Sequence, residues 1–201
     1  MSNSRGVDLS HHNDHVDFHT LKANGIDFVA LKATEGVGVT DPTYVDRIKR
    51  ARTVGFKRIL HYHFYRPHED PILQAKHFFS TVQELQDGER VVLDIEEGSG
   101  GWSGPSDMDG IKKFLLEASR DLGIGSSYWL IYTSPGWARG AFAGRLKELT
   151  MYPLWAAHYA ATVGDISPWT TWKVWQNSDR GVVQGAGAAG TVDTDVWNIQ
   201  L

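Results

Sequence analysis

Val-Val-Leu-Asp-Ile-Glu-Glu, residues 91–97, runs an apolar strand straight into carboxylates. In an extended chain successive side chains point to opposite faces, so Asp94 and Glu96 share one face. Their Cα atoms then lie about 6.6 Å apart, at about 3.3 Å per residue. Two acids that close cannot both ionise freely, and one is pushed toward holding its proton. A proton-holding acid beside an ionised carboxylate is what cleavage of a glycosidic bond requires. The plain alternative is a strand that ends in acids because a turn follows, and Gly98-Ser99-Gly100-Gly101 is such a turn.

Working outward, short apolar runs alternate with helical patterns. Strands are expected at 6–10, 28–34, 58–64, 91–96, 128–133, 154–159, 173–176 and 192–198. They are nearly continuous in apolar content, as strands buried on both faces should be. One helix is expected from Asp41-Pro42 to a stop at Gly55. Others are expected over 71–85, over 107–122 closed by Gly123, and more weakly over 137–149. The Gly/Ala-rich stretch 181–190 reads as a loop. Eight strands with few late helices imply an α/β fold, an irregular TIM-like (β/α) barrel with a reduced set of helices. A doubly wound open sheet is the structural alternative. In a closed barrel the first and last strands are neighbours. Asp8 would then approach Asp193 near the C-terminal mouth, where Asp94 and Glu96 also end.

The 201 residues, 41% of them hydrophobic, suffice for one domain spanning 1–201 with 1–4 as a short tail. A net charge of −4 without a basic run argues against nucleic acid and anionic membrane as partners. With no cysteine there is no disulfide, thiolate metal site or cysteine nucleophile. The N-terminal residues lack an apolar signal segment, and no run reaches membrane-spanning length. The expectation is therefore synthesis in the cytoplasm and action elsewhere after release or export by another system. Eight tryptophans and seven tyrosines are many for this length; most should be core, but sugar-binding clefts also use aromatic faces.

The chain resembles glycoside hydrolase family 25, the Chalaropsis-type lysozymes that include many phage endolysins. The resemblance rests on Gly-Val-Asp-Leu-Ser-His-His-Asn (6–13), Phe-Val-Ala-Leu-Lys-Ala-Thr-Glu-Gly (28–36), His-Tyr-His-Phe (61–64) and Leu-Asp-Ile-Glu (93–96). It continues through Ile-Tyr-Thr-Ser (131–134), Leu-Trp-Ala-Ala-His-Tyr (154–159), Val-Trp-Gln (174–176) and Val-Asp-Thr-Asp-Val (192–196). The segments occur in family order and span nearly the whole chain. The resemblance implies a muramidase that hydrolyses the β-1,4 bond after N-acetylmuramic acid in peptidoglycan. It casts Glu96 as general acid, Asp94 as its electrostatic partner, and Asp8 and Asp193 as further acids of the cleft. Glu35, Tyr62, Tyr132, Trp155, Tyr159 and Gln176 fall where family members line the groove. No cofactor or metal is implied, and a monomer acting on peptidoglycan glycan strands is expected. Two features depart from the family. Its last motif usually reads Asp, an apolar residue, then Asn, where this chain has Asp193, Thr194 and Asp195; Asp195 would share the face of Asp193. No wall-binding repeat follows the barrel, so targeting would come from the barrel itself or from a partner.

In this reading Glu96 protonates the leaving oxygen and nearby carboxylates stabilise an oxocarbenium-like transition state. The next step has two routes: attack by the substrate's own N-acetyl group oriented by Asp94, or by water activated by Asp8 or Asp193. The competing functions are a glycosidase for another N-acetylated polymer such as chitin, and a non-catalytic glycan-binding barrel.

Other motifs carry less. Residues 185–190 fit G-x-G-x-x-G but do not open a helix, so they read as a flexible loop. His61 and His63, with His11, His12 and Asp8, could suggest a metal hydrolase; histidines that bond carboxylates or pack are the simpler reading. Ser134 lacks a nucleophile-elbow context. Trp102, Trp137, Trp155, Trp175 and Trp197 read mainly as core. The charged run 46–52 reads as a solvated helix face.

Overall fold

A computed structural model describes residues 3–187 and 191–200. Among these, the strands are β1 (Ser4–Leu9), β2 (Phe28–Glu35), β3 (Val39–Thr40), β4 (Arg58–Phe64), β5 (Arg90–Asp94), β6 (Trp129–Thr133), β7 (Leu154–Ala157), β8 (Val174–Val182) and β9 (Thr191–Trp197). The α-helices are α1 (Phe18–Ala23), α2 (Tyr44–Val54), α3 (Pro71–Val82), α4 (Asp107–Leu122) and α5 (Pro135–Phe142). Eight strands close in the order β1-β9-β8-β7-β6-β5-β4-β2, and β1 pairs back to β2. The ninth, β3, folds back on the end of β2. The architecture is thus the irregular barrel that the strand pattern implied.

Six neighbouring pairs, from β1/β2 round to β7/β8, are parallel. Of the eight barrel strands, only β9 runs antiparallel to both of its neighbours. The cause is chain length: residues 183–190 alone join β8 to β9, and a parallel return needs a crossover of about a dozen residues. This reversal matters for the site. Asp193 stands near the start of β9, and only an antiparallel strand brings its start to the mouth where β1 ends.

The expected strand ends shift by one or two residues, except in β8. That strand runs on to Val182, so Gly181 and Val182 belong to a hairpin rather than to the loop expected there. Gly181 is required: a Cβ there would come within 2.1 Å of Thr194 Cγ2 on β9. Residues 188–190 of the G-x-G-x-x-G stretch lie outside the described residues. The stretch sits between two antiparallel strands, not between a strand and a helix.

Helix ends follow local chemistry. Gly55 and Gly123 close α2 and α4 in the left-handed region, at φ 85° and 66°. Asp70 caps α3 by accepting from Ile72 and Leu73 N–H, with Pro71 in the first turn. The helix expected over 71–85 stops at Val82. The one expected over 137–149 divides into α5 and a 3₁₀ segment, Ala143–Leu149. At six residues, α1 is too short to announce itself by periodicity; Asp17 caps it. The charged run on α2 is not wholly solvated. Arg47 is buried and donates to Ser10 O at 2.6 Å and to Asn13 O, which pins the loop after β1.

Two apolar regions flank the sheet. Inside the barrel, Phe28, Ala30, Leu60, Val92, Leu130, Val174 and Trp197 form a packed floor. Outside it, the helices cover the sheet through residues such as Phe78, Phe114, Leu115 and Trp129. No helix among the described residues is long and apolar enough to cross a membrane.

Candidate active site

Above the apolar floor the inward positions turn polar. A cavity of about 380 Å³ is lined by all ten residues expected at the site, from Asp8 and Glu35 to Gln176 and Asp193. A larger hollow of about 750 Å³ opens at the other end of the barrel, and no carboxylate side chain is among its described lining residues.

Asp94 is the last residue of β5, and Glu96 follows in extended backbone at φ −141°, ψ 164°. The two-residue spacing therefore keeps both carboxyls on the cavity side. Trp102 Nε1–H donates to the Glu96 carbonyl at 2.8 Å and anchors the turn behind it. Asp94 is buried, and its Oδ1 has no hydrogen-bond partner among the described residues. Burial, then the charge of Glu96, pushes the Asp94 carboxyl well up. Burial also raises Glu96, with Asp193 adding to it and Lys32 and Arg66 opposing. Both carboxyls of the pair are thus pushed toward holding a proton, the deeper Asp94 as well as Glu96.

Asp8 and Asp193 are direct partners in the β1/β9 ladder. Burial and the neighbouring Asp193 push Asp8 up to about 8. Gln176 organises this side of the cavity. Its Nε2 donates to Asp8 Oδ2 at 2.8 Å and to Asp193 Oδ2 at 3.3 Å. Its Oε1 accepts from Tyr132 and Tyr159 hydroxyls, both at 2.9 Å. Trp155 stands edge-on to Tyr132, with ring centroids 5.0 Å apart. Its Nε1–H donates to Asp195 Oδ1 at 2.9 Å. Asp193 lines the cavity, whereas Asp195 lies beneath it, buried.

Glu35 reaches the cavity because of a bulge. Phe28 and Ala30 point inward, and Val29, Leu31 and Ala33 point outward. The β2/β4 register slips between Lys32 and Thr34. Thr34 therefore faces outward to His63, and Glu35 turns in. Lys32 Nζ donates to Glu35 Oε2 at 2.6 Å, and Arg66 binds Glu35 Oε1 through Nε at 3.0 Å and through Nη2. These cations hold the Glu35 carboxyl below the carboxylate range despite its burial. Lys32 and Arg66 were not anticipated, although Lys32 lies in the same motif as Glu35. Arg66 sits beyond the end of β4, where no periodicity marks it. Tyr62 completes the wall on β4.

The cavity continues past Glu96, Tyr132 and Tyr159 into a shallower depression of about 310 Å³ with Trp137 and His158 on its wall. Trp102 stacks on Tyr65, and Trp197 closes the barrel floor. His61 and His63 point away from the cavity into the outer core. His61 Nε2 is bonded to Glu89 at 3.1 Å and its Nδ1 to Tyr44 Oη at 2.7 Å. His63 bonds Thr34 and Gln74 at 2.7 and 3.1 Å, and burial depresses it to about 3. His61 thus bonds a carboxylate and His63 packs against the Phe114 ring, the two roles that the simpler reading allowed.

Residues 7–186 match the model of glycosyl hydrolases family 25. The autolytic lysozyme of Clostridium acetobutylicum is 30% identical over 192 residues, covering 94% of this chain and 55% of that protein. The chain thus spans about half the length of that relative. The N,O-diacetylmuramidase of Chalaropsis sp is 29% identical over 188 residues, covering 87% of this chain and 88% of that one. Among solved structures, the bacterial lysozyme from Streptomyces coelicolor aligns with a TM-score of 0.87 at 26% identity, over 98% of this chain and 93% of that one.

Proposed function

From a chain that belongs to glycosyl hydrolase family 25, we propose a peptidoglycan muramidase that hydrolyses the β-1,4 bond between N-acetylmuramic acid and N-acetylglucosamine, with Glu96 as general acid. One observation carries the reading: two raised carboxyls of unequal depth, Asp94 below and Glu96 above, in a cavity walled by aromatic rings and further acids. Glu96 keeps its proton through burial and gives it to the leaving oxygen. Asp94 keeps one buried oxygen unpartnered. Asp94 and Glu96 hold one proton between them: with it on Glu96, the Asp94 carboxylate faces the positive charge that develops at the anomeric carbon. Asp8 and Asp193 face the same space, joined through Gln176, and are placed to act on water or on the acetamido group. Tyr159, half exposed at the rim, offers an aromatic surface to a sugar ring, with the buried Tyr132 and Trp155 behind it.

Digestion of purified peptidoglycan by the wild type and Glu96→Gln, with mass spectrometry of the fragments, tests this. New reducing-end N-acetylmuramic acid is expected from the wild type alone. A folded Glu96→Gln protein that still cuts would refute the acid assignment. Reducing-end N-acetylglucosamine, or activity on chitin oligosaccharides instead, would move the scissile bond. Pelleting with the wall without release of fragments would favour a binding barrel.

A further inference from the structure

We infer that Asp195 is a positioning residue of this site: a carboxylic acid kept neutral, which receives Trp155 through Oδ1 and donates the proton on Oδ2 to Asp8. The inference rests on the muramidase reading of the site and adds a residue to it. In the sheet, Asp195 stands between Gly6 on β1 and Gln176 on β8. Gly6 has no side chain, and the Phe28 ring fills that place. The carboxyl of Asp195 is therefore diagonal to Asp8, within the reach of diagonal cross-strand neighbours. It is 2% exposed. Oδ1 is satisfied by the Trp155 indole at 2.9 Å. Oδ2 is buried and has no donor among the described residues. A bare carboxylate oxygen there would be an unsatisfied charge in an apolar setting, which burial strongly disfavours.

A proton on Oδ2 removes that cost and gives the atom an acceptor. Asp8 lies two positions along the β1/β9 ladder from the partner of Asp195, and a hydrogen bond between the two carboxyls favours the ionised form of Asp8. The ionisable groups that act on Asp195 are Asp8 from β1 and Asp193 from its own strand. Trp155 from β7 and Gln176 from β8 are neutral. Burial and the two neighbouring acids push Asp195 up toward its protonated form, with the Trp155 hydrogen bond opposing them. Asp8 is then held from two sides, by Gln176 Nε2 on Oδ2 and by the Asp195 hydroxyl.

The test has two arms. The first uses the wild type labelled with ¹³C at aspartate carboxyls, where the resonance lost in Asp195→Asn identifies residue 195. It is expected at the protonated position at pH 6; an ionised resonance there overturns the inference, whatever the activity. The second compares pH profiles. Asp195→Asn keeps an acceptor for Trp155 and a donor for Asp8, so its kcat and acid limb are expected within about threefold and a few tenths of a pH unit of wild type. Asp195→Ala loses the donor. Its kcat is expected to fall about 10- to 100-fold with KM little changed, and its acid limb to move to higher pH as Asp8 holds its proton longer. A folded Asp195→Asn as impaired as Asp195→Ala would overturn the inference. A wild type inactive on peptidoglycan would sink the muramidase reading, while the carboxyl resonance would still decide the state of Asp195.

Discussion

Asp8→Asn is expected to change the pH dependence of stability more than any single surface change. Burial and Asp193 raise the Asp8 carboxyl from an ordinary 3.8 to about 8. A folded pKa above the unfolded one means that the folded state favours the proton. The contribution is complete below about pH 4 and is withdrawn as pH rises toward 8. A tenfold change in proton affinity is worth about 1.4 kcal/mol. Roughly four such steps give a ceiling of about 6 kcal/mol between pH 4 and 8. Asp8 is partly open to the cavity, so water screens part of this, and about 3 kcal/mol is the working figure. The asparagine amide has no acidic proton to lose, and its oxygen can still accept from Gln176 Nε2. Urea unfolding followed by tryptophan fluorescence at pH 4, 6 and 8 measures the difference. At pH 4 the two proteins should agree within about 1 kcal/mol; at pH 8 Asp8→Asn should be more stable by about 3 kcal/mol. Wild-type and mutant curves that stay parallel from pH 4 to 8 would show that Asp8 is already ionised in the folded protein, and the electrostatic account of the cavity would fail.

Two further outcomes follow from other parts of the charge map. Glu89 is buried against Arg52 and His61, and these partners hold it at about 2. Its pKa is depressed, so its stabilisation is present above pH 4.5 and lost as pH falls toward 2; Glu89→Gln should cost about 3 kcal/mol at pH 7 and less at pH 3 by denaturant titration. An equal loss at both pH values would contradict the ion-pair account. Lys32 lowers Glu96, so Lys32→Met should move the alkaline limb of kcat/KM to higher pH, and an unmoved limb would mean that Glu96 does not control it.

The residues legible in the sequence are those that local chain direction fixes. Asp94 and Glu96 needed only a strand and a spacing of two. Asp8 and Asp193 needed closure of the barrel, which the strand count supplied. Glu35 was legible by its motif and not by alternation: counting in twos from Phe28 sends it outward, and only the slip at Lys32/Thr34 turns it in. Arg47 was hidden for a related reason. A charged run on a helix predicts a wet face, yet the loop after β1 offers two bare carbonyls over that face, and the guanidinium is buried to meet them. The direction of β9 depends on the length of the preceding connection, not on its residues. The depth of Asp195 depends on the missing side chain of Gly6, distant in sequence and adjacent in space.

These particulars give the cavity a polarity. Cations gather on the β2/β4 side, where Lys32 and Arg66 grip Glu35. Acids gather on the β1/β9 side, where Gln176 bridges Asp8 and Asp193. Glu96 stands between them and feels both: Asp193 pushes its proton on, and Lys32 and Arg66 pull it off. An acid raised by burial and carboxylates alone would hold its proton too tightly to transfer it, and one surrounded by cations would have none to give. Glu35 then has a use that needs no contact with sugar. Without it, Lys32 and Arg66 would be two unneutralised cations beside Glu96, both favouring its ionised form. With it, both cations are paired to the Glu35 carboxylate while they still oppose the rise of Glu96.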